Sequence, residues 1–108
     1  MKFNIQSVIE QAQKMQEEME KSKRELSTKI VSGESGAGMV KAKVTGANEL
    51  VELKISPEIV NPQDIEMLED LIVAAVNVAL KEAQNMINEE TGKMAQMLPN
   101  IPGLNFNI

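Results

Sequence analysis

The longest helical pattern of the chain lies in its second half and sets the scale of the molecule. Asn61 suits a helix N-cap, and Pro62 suits the first helical position. Apolar side chains then recur every three or four residues from Ile65 to Ile87, which predicts a helix from Pro62 to Thr91. At about 1.5 Å per residue this helix measures about 45 Å, whereas a compact 100-residue domain has a radius of gyration of about 13 Å. The helix must therefore project beyond the globular body.

A second helical pattern occupies the amino-terminal part of the chain, from about Asn4 to Ser27. Its apolar residues form a narrow, heptad-like stripe that is interrupted only at Ser22. The intervening residues are mostly Gln and Glu, which favour a helix, and the segment contains no Gly or Pro. A long helix with such a narrow stripe is expected to pack against a partner helix. The stripe consists of Ile5, Val8, Ala12, Met15, Met19 and Leu26.

The glycine-rich stretch SGESGAGMVKAKVTG admits two interpretations. Gly33 and Gly38 have the Gly-x-x-x-x-Gly spacing of a phosphate-binding loop, but such a loop continues with Lys and then Ser or Thr and opens a helix. Here Met39 and Val40 follow, and apolar and polar residues then alternate as in a strand. We therefore interpret the glycines as the loop of a β-hairpin, in which they supply positive φ angles.

Three strands are predicted between the two helices: about Thr28 to Ser32, Gly38 to Thr45, and Leu50 to Ile55, with Pro57 ending the last. The order of helix, three-stranded antiparallel sheet and long helix indicates an α+β fold. So small a sheet cannot cover two long apolar stripes, which predicts a homodimer.

The domain organisation is simple. With 108 residues the chain has room for one domain, which we assign to residues 1–98. Residues 99–108 contain Pro99, Pro102 and Gly103 and have no regular period, so we expect a flexible or irregular tail.

The composition removes several classes of function. His, Cys, Trp and Tyr are absent, and with them the usual neutral-pH base, thiol nucleophile, soft-metal ligands and aromatic stacking platform. We expect no enzyme activity, no catalytic residues, no cofactor, no metal site and no small-molecule substrate. Glu66, Glu69 and Asp70 lie within about one helical turn, but no oxygen-rich loop accompanies them, so we interpret them as a solvated acidic face.

The chain also lacks signals for a membrane. Its longest nearly apolar run, Leu71 to Leu80, is half of the roughly 20 residues that cross a bilayer, and it is interpreted as a buried helical segment. The amino terminus has polar residues where a signal peptide would need an unbroken apolar core. These patterns predict a cytoplasmic protein with no membrane partner.

Three segments together resemble the YbaB/EbfC family of bacterial nucleoid-associated proteins. They are QAQKMQEEM (Gln11 to Met19), SGESGAGMVKAKVTGANELVELKISPEI (Ser32 to Ile59) and DIEMLEDLIVAAVNVAL (Asp64 to Leu80). The resemblance implies a cytoplasmic, nucleoid-located homodimer in which strands of two chains join and long helices form tweezer-like arms. It also implies binding to double-stranded DNA, a change in DNA conformation and an influence on gene expression.

Charge restricts how such binding can occur. The chain has 11 Lys plus Arg against 16 Asp plus Glu, a formal net charge of −5, which disfavours nonspecific attraction to DNA. Binding must then depend on local groups of basic side chains, with weak sequence preference. The candidate DNA-binding residues are Lys14, Lys21, Lys23, Arg24, Lys81 and Lys93, with hydrogen bonds from Gln11, Gln13 and Gln84.

Two alternatives remain open at this point. The group Lys21, Lys23 and Arg24 is interleaved with Glu20 and Glu25, so it is equally well explained as an ordinary solvated helix face. The amphipathic arms are also suited to a protein-interaction module that grips another protein.

Overall fold

A computed structural model describes residues 4–96 of the chain, and residues 1–3 and 97–108 lie outside this description. Two long helices flank a small sheet, which confirms the predicted α+β class. The elements are α1 (Ile5–Thr28), β1 (Ile30–Ser35), β2 (Val40–Thr45), β3 (Leu50–Ile55), a one-turn 3₁₀ helix (Pro57–Ile59) and α2 (Ile65–Gln96).

The three strands form one antiparallel sheet in the order β1-β2-β3, so each strand pairs with its neighbour in the sequence. The first hairpin loop contains Gly36 and Gly38 with φ angles of 59° and 86°, a conformation that glycine adopts without strain. In the second loop, the Thr45 hydroxyl accepts hydrogen bonds from the backbone N–H groups of Ala47 and Glu49, at 3.1 and 3.4 Å. The glycine-rich stretch is therefore a β-hairpin, as predicted, and not a phosphate-binding loop.

The core lies between one face of the sheet and one face of α2. Along β2, side chains alternate so that every second one points to α2. Gly33 of β1 lies on the same face, opposite Ala42, and α2 passes so close that a Cβ atom on Gly33 would lie 2.7 Å from the Ala75 carbonyl oxygen. Small side chains on the helix allow this approach. The fully buried residues are Val40, Ala42 and Val44 of β2 and Ala75, Ala79 and Ala83 of α2.

Both helices extend beyond this core. The buried residue of α1 is Leu26, near its carboxyl end, where the Leu26 carbonyl accepts a hydrogen bond of 3.1 Å from the Gly46 N–H. The molecule measures 74 × 26 × 16 Å, and its radius of gyration is 20.8 Å. That radius well exceeds the value of about 13 Å for a compact domain of this length, so the prediction of projecting helices is confirmed. In residues 4–96, no helix has the length and apolar character needed to span a membrane.

The predicted position of β1 was wrong. Thr28, the predicted first residue of the strand, ends α1, and the strand runs from Ile30 to Ser35. Gly33 therefore lies inside the strand and not in the hairpin loop. The physical reason is the close packing of α2 on this point of the sheet, which leaves no room for a side chain. The second strand begins at Val40, two residues later than predicted, because Gly38 belongs to the turn.

Both predicted ends of α2 were also displaced. The N-cap is Asp64, whose carboxylate accepts a hydrogen bond of 3.2 Å from the Met67 N–H. Asn61 instead closes a turn, because its carbonyl accepts the Asp64 N–H at 2.9 Å. At the other end the helix continues through Gly92 to Gln96. The predicted flexible or irregular tail, residues 99–108, lies outside the described residues.

The apolar run from Leu71 to Leu80 is helical, but it is buried on only one side within a single chain. Ala75 and Ala79 are fully covered, and Val73 and Val78 on other faces are 57% and 45% exposed. The burial expected from the sequence is thus only partial in a single chain.

Candidate nucleic-acid interface

The basic residues of α1 divide between two faces of the helix. Lys14 and Lys21 are two turns apart and Arg24 lies one turn further, so helical periodicity places all three on one outer face. Gln11 and Gln13 flank that face on either side. All of these side chains are exposed to solvent.

Lys23 points in the opposite direction, into a groove between α1 and α2. The groove has a volume of about 710 Å³ and is open to solvent. It is formed by the second half of α1, the last three turns of α2, and the β2–β3 loop at its base. Its apolar lining comprises Met15, Met19, Leu26, Ala47, Ile87, Met94 and Ala95, and its polar rim includes Gln16, Glu20, Lys23, Glu90 and Thr91.

The methionines expected to pack on the apolar stripes line this groove or lie beside it. Met15 and Met19 face it but remain 38% and 56% exposed, whereas Met86 is half-buried. The partner helix predicted for α1 is the end of α2, and it covers the stripe only partly. Further along α1, Ile5 and Val8 lie beyond the described end of α2 and are exposed.

The candidate residues on α2 do not form one surface with those on α1. Lys81 and Gln84 share the face of α2 that points away from the sheet, and the Gln84 amide donates a hydrogen bond of 2.9 Å to the Asn88 side chain. Lys93 lies in the last turn on another face, where its positive charge interacts favourably with the helix dipole at the carboxyl end. All three are exposed, but Glu82, Glu89 and Glu90 surround them along the helix.

The basic side chains of α1 have no carboxylate partner among residues 4–96. The two ion pairs in that part of the chain lie on the outer face of the sheet, where Glu52 contacts Lys43 at 3.1 Å and Lys54 at 3.6 Å. The Lys43 ammonium donates to Glu52 and holds the pKa of that carboxyl below its ordinary value, with a smaller effect from Lys54. Lys41, Lys43 and Lys54 thus belong to the polar, solvent-facing side of the sheet.

Sequence reasoning missed one basic residue near the group on α1. Lys29 caps the carboxyl end of α1 through a backbone hydrogen bond to Leu26, and its side chain is exposed. It follows the basic segment Lys21 to Arg24 by about one and a half turns, so the base of α1 carries four cations, with Glu20 and Glu25 beside them. The signal was present in the local charge, but Thr28 and Lys29 were assigned to a strand.

The acidic residues at the start of α2 do not form a metal site in this structure. Glu66, Glu69 and Asp70 are exposed. Within the described part of the chain, no group of three or more acidic residues is arranged to hold a metal ion.

Comparison with known proteins identifies the family. Residues 1–98 match the YbaB/EbfC DNA-binding family. A nucleoid-associated protein of Caldanaerobacter subterraneus is 53% identical over 102 residues, covering 94% of this chain and 91% of the relative. A nucleoid-associated protein of Streptomyces griseus is 46% identical over 106 residues, covering 95% and 93%.

A solved structure supports the fold. The crystal structure of an uncharacterized protein from Helicobacter pylori superimposes with a TM-score of 0.76, covering 87% of this chain and 99% of that one at 21% sequence identity. At this identity the comparison establishes a shared fold only. The match over residues 1–98 and the relatives at 46–53% identity show that the chain belongs to the YbaB/EbfC DNA-binding family.

Proposed function

We propose that this chain binds double-stranded DNA as a homodimer, with loose sequence preference, and that it changes the conformation of the DNA it binds. The family description and the nucleoid-associated relatives support DNA as the partner. The same relatives support a location at the nucleoid in the cytoplasm and an influence on gene expression.

The proposed homodimer rests on apolar surface that a single chain leaves uncovered. The close packing of α2 is on β1 and β2, and on β3 the side chains of Leu50, Val51 and Leu53 are 38–51% exposed. Val73 and Val78 of α2 add to the uncovered apolar surface. A second copy can cover such exposed apolar side chains symmetrically.

The observation that carries the DNA proposal is the group of cations at the base of α1, which have no carboxylate partner among residues 4–96. Lys21, Lys23, Arg24 and Lys29 lie within about 12 Å along the helix axis and are all exposed, with Lys23 on the groove side, and Glu20 and Glu25 are the acids interleaved with them. Because salt screens exposed charges beyond about 8 Å, this local excess acts on a nearby phosphate despite the net negative charge of the chain.

Other candidate residues contribute less in this proposal. Lys14 extends the outer face of α1 towards its amino terminus, and Gln11 and Gln13 supply hydrogen bonds to phosphates or base edges. Lys81, Gln84 and Lys93 lie on other faces of α2, among more numerous acids. They contact DNA only if the duplex passes along α2 as well.

Salt dependence of the affinity for duplex DNA tests the proposal. If cations on α1 neutralise phosphates, log K falls linearly with log salt, with a slope of about −0.9 per phosphate. The double variant Lys21→Gln/Arg24→Gln removes four cations from each dimer and is expected to reduce the magnitude of this slope by up to about 4. Binding that is insensitive to salt would instead indicate the alternative function, an apolar protein-binding surface.

A matched pair of variants separates the effect of where the charge is changed from the effect of the total charge. Lys21→Glu/Arg24→Glu and Lys41→Glu/Lys54→Glu change the net charge equally, but the second pair lies on the outer face of the sheet. We expect the first variant to lose its mobility shift and the second to retain most of it. Equal loss in both would reject α1 as the contact surface.

Sedimentation equilibrium tests the dimer independently of DNA. We expect twice the chain mass of 11.9 kDa at micromolar concentration. Leu53→Glu places a charge on the uncovered apolar face of β3 and is expected to yield monomer. Ile30→Glu makes the same change at an exposed apolar residue on the other face of the sheet and is expected to leave the dimer intact. A wild-type monomer would contradict the proposal.

A further inference from the structure

The groove between α1 and the end of α2 is an apolar feature that neither the core nor the proposed DNA contacts account for. Its volume of about 710 Å³ lies within the range of about 300–1,000 Å³ typical of ligand pockets. Met15, Met19 and Met94 dominate its walls, and methionine side chains adapt readily to an irregular apolar partner. Leaving such a groove to water is unfavourable, so an apolar occupant is expected.

We propose that the groove is filled by residues 97–108 of the same chain. This segment follows Gln96 directly, and Met94 and Ala95 are part of the groove lining, so the segment starts at the rim of the groove. Tethering at the rim gives the segment a high effective concentration there, on the order of millimolar, which favours it over a free partner.

The composition of the segment matches the lining. Residues 97–108 contain no Asp, Glu, Lys or Arg, and half of them are large apolar residues. Burial of these side chains therefore costs no desolvation of a charged side chain. The apolar members are Met97, Leu98, Ile101, Leu104, Phe106 and Ile108.

The length of the segment is also sufficient. From Met15 to Leu26 the groove runs about 17 Å along α1, and a segment of twelve residues reaches about 40 Å when extended. Because α2 runs away from the sheet, the chain must reverse near Gln96 to enter the groove.

A second copy of the chain is the competing occupant, but the proposed dimer surface is elsewhere. Leu50, Val51 and Leu53 on β3 and Val73 and Val78 on α2 are the uncovered apolar residues that support the dimer, and none of them lines the groove. The chain's own segment can therefore fill the groove while a second copy covers the dimer surface.

Paramagnetic broadening in the full-length protein tests the proposal. The chain has no cysteine, so Asn107→Cys provides a single site for a nitroxide label. With methionine methyl groups carbon-13 labelled, we expect loss of the Met15 and Met19 signals relative to the reduced nitroxide. The Met67 signal should persist, because Met67 lies about 40 Å from Met94 along α2. Persistence of the Met15 and Met19 signals would overturn the proposal.

A mixing experiment distinguishes the chain's own segment from that of a second copy. Carbon-13-labelled chains without the cysteine are refolded together with nitroxide-labelled chains of natural isotope abundance. If the segment binds its own chain, the Met15 and Met19 signals of the mixture stay intact. Loss of these signals in the mixture would assign the groove to the second copy and reject our proposal.

Two charge substitutions test the apolar basis of the contact. Phe106→Asp should release the segment and restore the Met15 and Met19 signals in the nitroxide-labelled protein. Asn105→Asp adds the same charge at a neighbouring polar residue and should leave the broadening in place. Broadening that persists in Phe106→Asp would contradict docking by apolar burial.

Discussion

Replacement of Gly33 by alanine is the most informative single change for this fold. A Cβ atom at this position would lie 2.7 Å from the Ala75 carbonyl oxygen and 2.9 Å from Ala79 Cα, and it would also collide with the Ala79 backbone nitrogen. These are backbone atoms of α2, so no side-chain rotation can relieve the collision. The helix must move away from the sheet instead.

The size of the effect follows from how far the helix must move. Ordinary contact with a Cβ atom begins near 3.4 Å, so α2 must shift by about 1 Å. A gap of about that size forfeits a quarter to a half of the dispersion energy between the facing atoms of the core. Overpacking of a tight core typically costs about 1–3 kcal/mol. Because the colliding atoms are rigid backbone, we expect about 3 kcal/mol here, or a fall in Tm of about 12–24 °C.

Urea and thermal unfolding followed by circular dichroism measure this change, at one fixed protein concentration because dimerisation couples to stability. Gly92→Ala is the matched control: a Cβ atom there meets nothing within 4 Å, and the residue lies in the exposed end of α2. Alanine at position 92 should stabilise the helix by about 0.5–1 kcal/mol. If Gly33→Ala unfolds within about 0.5 kcal/mol of the wild type, the close approach of α2 to β1 is refuted.

Three further predictions concern other local features. Asp64→Ala removes the α2 N-cap and should lower the free energy of unfolding by about 1 kcal/mol in urea titrations. Asn61→Ala, at an exposed turn, should lower the free energy of unfolding by less. A larger loss in Asn61→Ala than in Asp64→Ala would identify Asn61 as the N-cap, as the sequence had suggested. Gly46→Ala should destabilise the fold by about 2–3 kcal/mol in the same assay, because its Cβ atom would meet the Leu26 carbonyl group, and a wild-type midpoint would contradict that packing. Because Lys43 depresses the pKa of Glu52 in the folded state, the resulting stabilisation is present above the ordinary glutamate pKa and is lost as pH falls through the depressed value. Carbon-13 NMR titration of Lys43→Met should therefore show the pKa of Glu52 rising, and an unchanged value would reject the ion pair.

The candidate site was only partly predictable from the sequence. Helical periodicity alone places Lys14, Lys21 and Arg24 on one face of α1, because that relation depends only on local geometry. It does not say which face turns towards α2. That choice depends on the packing of Leu26 against Gly46 at the base of the groove, and it directs Lys23 inward and the other basic residues outward.

The sequence by itself determined the two long helices, the existence of the glycine-rich hairpin and the α+β order, because each depends on periodicity and turn preferences within a few neighbouring residues. Only the tertiary structure decided that Gly33 belongs inside a strand and that Gly92 is tolerated within α2. Judged from its neighbours in the sequence, a glycine predicts the end of a strand or helix. At position 33 its missing side chain instead makes room for Ala75 and Ala79 of α2, which lie more than 40 residues away in the chain. Contacts between residues so distant in sequence leave no local pattern, so they become visible only when the elements pack together.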